Sequence, residues 1–281
     1  MAYVSDSAPT LRVEGKLATY AYRDFGQRTA SPPLVLLQRF RGTLDHWDPA
    51  FLEPLAARRR VVLFDSAGVN ESSGTVPDTI EGMAAAAADF LEALGFTEAD
   101  LFGWSMGGFV AQLVALEHPG LVRRLAVTGS GPGGGVPGVP DLDPRVPAMM
   151  TAETNTDDEF LYLFFGLGEA AQQVGRESLA RLEPRLNESK ADVSAEAWGN
   201  QLRAILRWGS GEGAAWPRLR ELEIPVLVAN GAHDVMVPSV NSFAMAQRLT
   251  DATTVFNSDA GHAFLFQHPD EFARVVLDFL G

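Results

Sequence analysis

One short stretch of this chain combines residue type and spacing in a way that could do covalent chemistry. Gly103-Trp104-Ser105-Met106-Gly107 fits the pattern G-x-S-x-G, and Gly108 follows it. The stretch comes directly after an apolar run ending at Phe102 and directly before a helix-like segment, so the chain must turn sharply at Ser105 and push its hydroxyl out past the end of a strand. Glycine suits positions 103 and 107 because a side chain at either would collide where strand and helix close on each other. A serine hydroxyl is a poor nucleophile near neutrality. It needs a general base, and the base needs an acid to orient it.

Five histidines compete for the role of base. His118 ends the helix after the turn, where a cation caps the helix dipole. His46 and His268 lack the flexible neighbours of a projecting loop. His262 follows Gly261 between the strand-like Thr253 to Phe256 and the last helix. His233 adjoins Asp234 just beyond a strand, where ligands bind in open α/β sheets. Asp234 hangs on the turn before Val237-Pro238, and the chain order Ser105, Asp234, His262 is the order that an elbow-type hydrolase requires.

The elements that must hold these residues are legible as an alternation. Buried-strand patterns fall at Leu34–Leu37, Arg60–Phe64, Asp100–Phe102, Leu121–Thr128 and Pro225–Ala229. Helix-like stretches fall at Thr79–Leu94, Met106–Glu117, Val240–Leu249 and Pro269–Leu280, which predicts right-handed βαβ units and a mostly parallel sheet flanked by helices. Leu11–Val13 and Lys16–Arg23, joined at Glu14-Gly15, predict an antiparallel hairpin at one edge. After Thr128 the rhythm breaks in a Gly- and Pro-rich connector over 129–140. From Pro144 to Trp208 only helical spacing remains, as in Leu161, Phe164, Phe165 and in Trp198, Leu202, Ile205, Leu206. The expected division is a core over 1–135 and 214–281 with a helical cap over 136–213.

With these features in place the chain resembles the α/β-hydrolase fold family over essentially its whole length. The resemblance implies an eight-stranded sheet, a helical cap after the sixth strand, and a triad of Ser105 as nucleophile, Asp234 as acid and His262 as base. It also implies an oxyanion hole made of the N–H groups of Met106 and Phe40. The family usually reads His-Gly-x at the second of these, whereas this chain has Gln38-Arg39-Phe40-Arg41-Gly42. Arg39 must then either recognise an acidic substrate group or turn away along the sheet edge into solvent, and the second arrangement is expected. After the fourth strand Asn70 stands where the family has a glycine, in a turn Asn can adopt. Trp104, Arg39, Phe164 and Met236 are the candidate substrate-binding residues, with the Met149, Met150, Phe164 and Phe165 cluster forming cap core that partly lines an apolar pocket.

The resemblance implies a serine hydrolase acting on a small carboxylic ester or lactone, with no metal or organic cofactor. Amide hydrolysis, carbon–carbon bond hydrolysis and peracid formation use the same triad, and a ligand-binding protein that lost turnover is the alternative of another class. A serine in place of an aspartate argues against dehalogenase and epoxide-hydrolase chemistry. Composition narrows the partners further. With 22 basic against 36 acidic residues the net charge is −14, which repels nucleic acid and anionic membranes. The chain has no cysteine, hence no disulfide and no thiolate metal site. It shows no signal segment and no long apolar run, so a soluble cytoplasmic protein is expected, with homo-oligomerisation left open. Gly133 to Gly138 match G-x-G-x-x-G, but Pro137 and Pro140 prevent the helix a nucleotide would need. Asp45, His46 and Asp48 are expected to form a solvated turn rather than a metal site, and Arg58-Arg59-Arg60 a solvated helix end.

Overall fold

The computed structural model describes residues 3–281. Eight strands form one sheet: β1 (Leu11–Glu14), β2 (Thr19–Gly26), β3 (Leu34–Leu37), β4 (Arg60–Phe64), β5 (Ala99–Trp104), β6 (Val122–Thr128), β7 (Val226–Gly231) and β8 (Ala252–Asn257). Their order is β1-β2-β4-β3-β5-β6-β7-β8. The β1–β2 and β2–β4 pairings are antiparallel and every other pairing is parallel. The expected hairpin therefore forms, and it joins the sheet as an antiparallel edge.

The central strands are apolar on both faces because both faces are covered. Leu34, Leu36, Val61, Leu63 and Phe102 face a core shared with the helices Pro49–Ala56 and Pro269–Leu280. Their neighbours Val35, Leu37, Val62, Phe64 and Leu101 face the opposite core, shared with Ile80–Ala93 and Met106–Glu117. The two-residue period of the strand sorts consecutive side chains into the two layers. Strand order reverses around β3, which has β4 on one side and β5 on the other. Loops leaving β3 and β5 thus diverge over a crevice at their carboxyl ends, the place where open α/β sheets bind ligands. The register sets Leu37 beside Gly103, so the segments after each strand begin at the same level.

Between β6 and β7 lie the cap helices Arg145–Met150, Asp157–Phe164, Glu169–Ser189 and Ala195–Ser210. Leu161, Phe164 and Phe165 are buried and Trp198, Leu202 and Ile205 pack on the core, but Leu206 is 63% exposed. The cap is held to the sheet by charge as well as by apolar contact. Asp48, which caps the helix Pro49–Ala56 through Ala50 N–H at 2.9 Å, accepts from Ser178 Oγ at 2.6 Å and from Arg181 Nη2 at 2.7 Å. Asp45 accepts from Arg185 Nε at 3.0 Å and pairs with the buried Arg23. The turn expected to be solvated is therefore roofed by the cap, because its two carboxylates are the cap's anchoring points.

A second expectation also fails for electrostatic reasons. Within Arg58-Arg59-Arg60 only Arg58 is exposed. Arg60 forks onto Asp24, with Nε at 3.0 Å and Nη2 at 2.7 Å. Arg59 turns inward to the fully buried Asp100, which also receives Arg123 Nε at 2.9 Å and Nη2 at 2.6 Å. Removing one partner of such a group strands a buried charge. Asp100→Ala is expected to lower stability by about 3–5 kcal/mol in urea denaturation with an unchanged slope. A loss below about 1 kcal/mol would show that Arg59 finds another route to water.

Candidate active site

The turn at Ser105 has the strained geometry that its glycines imply. Ser105 sits at φ 57° and ψ −121°, outside the regions L-residues normally adopt. Three hydrogen bonds hold it there. Its N–H donates to Thr128 O on β6 at 2.9 Å, and its carbonyl accepts from Gly108 N–H and Ser130 Oγ, each at 2.8 Å. A Cβ on Gly103 would overlap the Gly107 carbonyl, and one on Gly107 would overlap the Leu37 carbonyl at the end of β3. Backbone contacts cannot yield as a flexible side chain could. The glycines therefore permit the helix Met106–Glu117 to start against both strands, which leaves the serine at its N-terminus.

Asp234 follows β7 on a tight turn. Its Oδ1 accepts from the N–H groups of Met236 at 2.9 Å and Val237 at 2.8 Å, and its Oδ2 meets His262 Nδ1 at 2.7 Å. A carboxylate that only accepts requires the imidazole hydrogen on Nδ1, so Nε2 is left as a proton acceptor. Both side chains are almost completely buried. The loop carrying His262 reaches β7 closely because Gly231 has no Cβ, and one there would overlap the Gly261 carbonyl. Between the two histidines that the residues left as candidates the structure distinguishes plainly. His233 is exposed, while His262 lines the same cavity as Ser105.

That cavity holds about 650 Å³ between the sheet and the cap. Its walls are mostly apolar, with Phe109, Phe160, Phe164, Leu182, Trp208 and Met236 among them. Phe164 and Met236 are thus where a substrate-binding role would put them. Trp104 is not. It lies beneath the cavity, its indole N–H donating to the His262 carbonyl at 3.1 Å and its ring 5.8 Å from that of Phe164. A residue on the strand itself points into the sheet's packing layer, so Trp104 supports the histidine loop instead of lining the pocket.

The two backbone donors expected to face an oxyanion are both available. Met106 opens a helix, where the first N–H groups have no intrahelical acceptor. In the loop after β3 the neighbours of Phe40 are engaged, Arg39 N–H to Gln38 Oε1 at 2.8 Å and Arg41 N–H to Gln201 Oε1 at 3.0 Å. Phe40 N–H has no partner among the described residues. Gln201 comes from a cap helix and was not singled out in the sequence, since nothing in its own helix signals which loop it will meet.

Arg39 does not turn away to solvent. Its Nη1 donates to the Phe40 carbonyl at 2.8 Å, and its guanidinium lies 4.9 Å from the ring of Phe164 and 6.0 Å from that of Phe160, lining the cavity. The cap supplies aromatic faces that substitute for water. Burial and the nearby Arg41 charge bring its pKa down to about 10, which leaves it a cation at neutral pH. His46 also lines the cavity, a position the sequence did not indicate. Its Nδ1 accepts from Thr43 N–H at 3.1 Å, and burial beside Arg39 pushes its pKa down to about 3. It is neutral across the physiological range.

Asn70 adopts the left-handed backbone its position demands, at φ 48°, and its side chain donates to Asp65 at 2.8 Å. Asp65 also receives Leu44 N–H at 2.8 Å, tying this turn to the loop that carries Arg39 and His46. Burial raises the Asp65 pKa to about 6. The glycine-rich segment 133–138 opens no helix, and Gly133 to Gly135 instead form part of the cavity wall. Among the described residues no group of three His, Asp or Glu is placed to hold a metal ion, and no helix is long and apolar enough to cross a membrane.

Comparison with known proteins places this geometry in a family. The model of the alpha/beta hydrolase fold matches residues 32–269. A 2-hydroxy-6-oxo-6-phenylhexa-2,4-dienoate hydrolase of Burkholderia cepacia is 31% identical over 80% of this chain and 78% of its own length. A protein of Azorhizobium caulinodans assigned as a carbamate hydrolase, RutD, is 29% identical over 90% of this chain and 92% of its own. Among solved structures, an alpha/beta hydrolase fold protein from Chitinophaga pinensis superposes with a TM-score of 0.87 at 34% identity, covering 99% of this chain and 98% of the other. The eight-stranded sheet, the strained Ser105 turn after its fifth strand and the match over most of the length agree: this chain belongs to the alpha/beta hydrolase fold family.

Proposed function

We propose that this protein is a serine hydrolase that cleaves a small carboxylic ester or lactone through an acyl-enzyme. The observation that carries the reading is the buried Asp234–His262 hydrogen bond, which leaves Nε2 as the free base at the cavity that Ser105 also lines. In this reading His262 Nε2 takes the Ser105 proton as Oγ attacks the carbonyl, and the N–H groups of Met106 and Phe40 stabilise the oxyanion. The imidazolium then returns the proton to the leaving alcohol. Water repeats the sequence on the acyl-enzyme and releases the acid. Asp234, held by two backbone N–H groups, keeps the ring in one orientation and stabilises its charged form. The largely apolar walls suit a substrate with an apolar acyl or alcohol part. The steps proposed here call for no cofactor.

Carbon–carbon bond hydrolysis is the second reading, favoured by the 31% identity to the dienoate hydrolase of Burkholderia cepacia. A panel of p-nitrophenyl esters of increasing acyl length, run beside small lactones and a vinylogous 1,5-diketone acid, separates the two by which class turns over.

A fluorophosphonate is expected to label Ser105 alone. Ser105→Ala should lose about 10⁴-fold or more in kcat while its thermal transition stays unchanged. More than a tenth of wild-type turnover in that variant would remove Ser105 from the role. Asp234→Asn is expected to cost up to about 10⁴-fold in kcat, because an amide at Oδ2 favours the wrong imidazole tautomer. A severe loss at another carboxylate with a mild one here would relocate the acid. Gly107→Ala tests the elbow itself: a Cβ against the Leu37 carbonyl should lower stability by about 1–3 kcal/mol and slow fluorophosphonate labelling. Unchanged labelling would mean that the turn relaxes without displacing the serine.

A further inference from the structure

We propose that Arg39 and His46 form a carboxylate-binding site in the cavity wall, so that the substrate of the hydrolysis proposed above carries a carboxylate. The proposal rests on that hydrolytic reading for the substrate's fate, and on charge bookkeeping for the site. The acidic chain gives its buried arginines carboxylate partners almost everywhere: Arg23 meets Asp45 and Arg59 meets Asp100. Arg39 makes no ion pair among the described residues. Its Nη1 donates to the Phe40 carbonyl, while its buried Nε has no hydrogen-bond partner. Among the described residues that line the cavity, Asp157 is the sole carboxylate, and it lies at the exposed start of its helix. Holding a half-buried guanidinium without a counterion costs hydration, and the faces of Phe160 and Phe164 offset only part of that cost.

His46 adds a second donor of fixed direction. Because Thr43 N–H donates to Nδ1, the ring hydrogen must lie on Nε2. That N–H has no partner among the described residues, and the residue lines the cavity. Burial keeps the ring neutral, so it contributes a hydrogen bond and no charge. One guanidinium and one imidazole N–H match the single charge and two oxygens of a carboxylate. Arg41, the other cation of the lining, is already spent on the carbonyls of Ala152 at 2.6 Å and Glu153 at 2.7 Å. That leaves too little charge for a dianionic phosphate. Arg39 directly precedes Phe40, the proposed oxyanion donor, so the bound carboxylate lies along the same loop as the carbonyl under attack.

The test is equilibrium binding to the Ser105→Ala protein, which needs no turnover. Calorimetry with 4-phenylbutanoate and the isosteric 4-phenylbutanamide is expected to show the acid bound at least about tenfold more tightly. Adding Arg39→Met should bring the two within about twofold, and adding His46→Phe should narrow the gap by about threefold. Should Arg39→Met fail to fold, Arg39→Gln neutralises the charge while keeping a donor for the Phe40 carbonyl. Equal affinity for acid and amide, no binding of the acid, or a preference that survives loss of Arg39 would each overturn the site and leave Arg39 as a clamp between loop and cap. Fluorophosphonate labelling reports the hydrolytic reading separately. Labelling without acid preference removes the carboxylate site alone, and acid preference without labelling supports the site and removes the hydrolase.

Discussion

The structure depends most on the approach of one helix to the end of one strand. Gly107, in the first turn of the helix that follows Ser105, lies so close to the Leu37 carbonyl that no other residue fits without moving backbone. The approach occurs where the strand order reverses around β3, so the loop after β3 and the turn after β5 are pressed into one crevice. Ser105 pays with an unfavourable φ of 57°, and its bonds to Thr128, Gly108 and Ser130 sustain it. The strain is a local consequence of packing two strands and a helix at van der Waals distance, and it delivers a hydroxyl and a free helix N–H to the same point.

The cap is coupled to that crevice through charge. The segment after β3 carries Phe40, then Arg41, then the carboxylates Asp45 and Asp48. Cap residues bind at each stage, Gln201 to the Arg41 N–H, Arg185 to Asp45 and Arg181 to Asp48. Arg39 lies on the cap's Phe164. The loop that presents the proposed oxyanion donor is therefore shaped from above by the cap as much as from below by β3. Buried aspartates paired with arginine serve this acidic chain as fastening points, since each would be costly to leave unpaired.

Periodicity and turn chemistry made most of the scaffold legible without coordinates. Runs such as Leu34–Leu37 and Arg60–Phe64 read as buried strands, because a short, largely apolar run bounded by breakers fits the strand position of an α/β alternation. The elbow was equally plain, since two glycines around a serine between strand and helix report a local steric constraint. Asn70 fitted for a similar local reason, its side chain being compatible with the left-handed turn.

Side-chain direction and charge pairing were decided by tertiary structure. Nothing near Arg39 in sequence records that Phe160 and Phe164 will cover it, so solvent was the natural expectation and the aromatic wall the outcome. Trp104 is adjacent to Ser105 in sequence yet points into the layer below, because strand alternation sends neighbours to opposite sides. Arg59 and the carboxylates Asp45 and Asp48 read as surface groups by composition, and their partners lie 41, 140 and 133 positions away in the chain. The sequence by itself determined which segments are strands and helices and where the chain must turn, since those are short-range steric and hydrophobic matters. Which buried charge meets which partner, and which cation is left facing the cavity, only the packing of cap on sheet decided, because electrostatic pairing depends on distance in space.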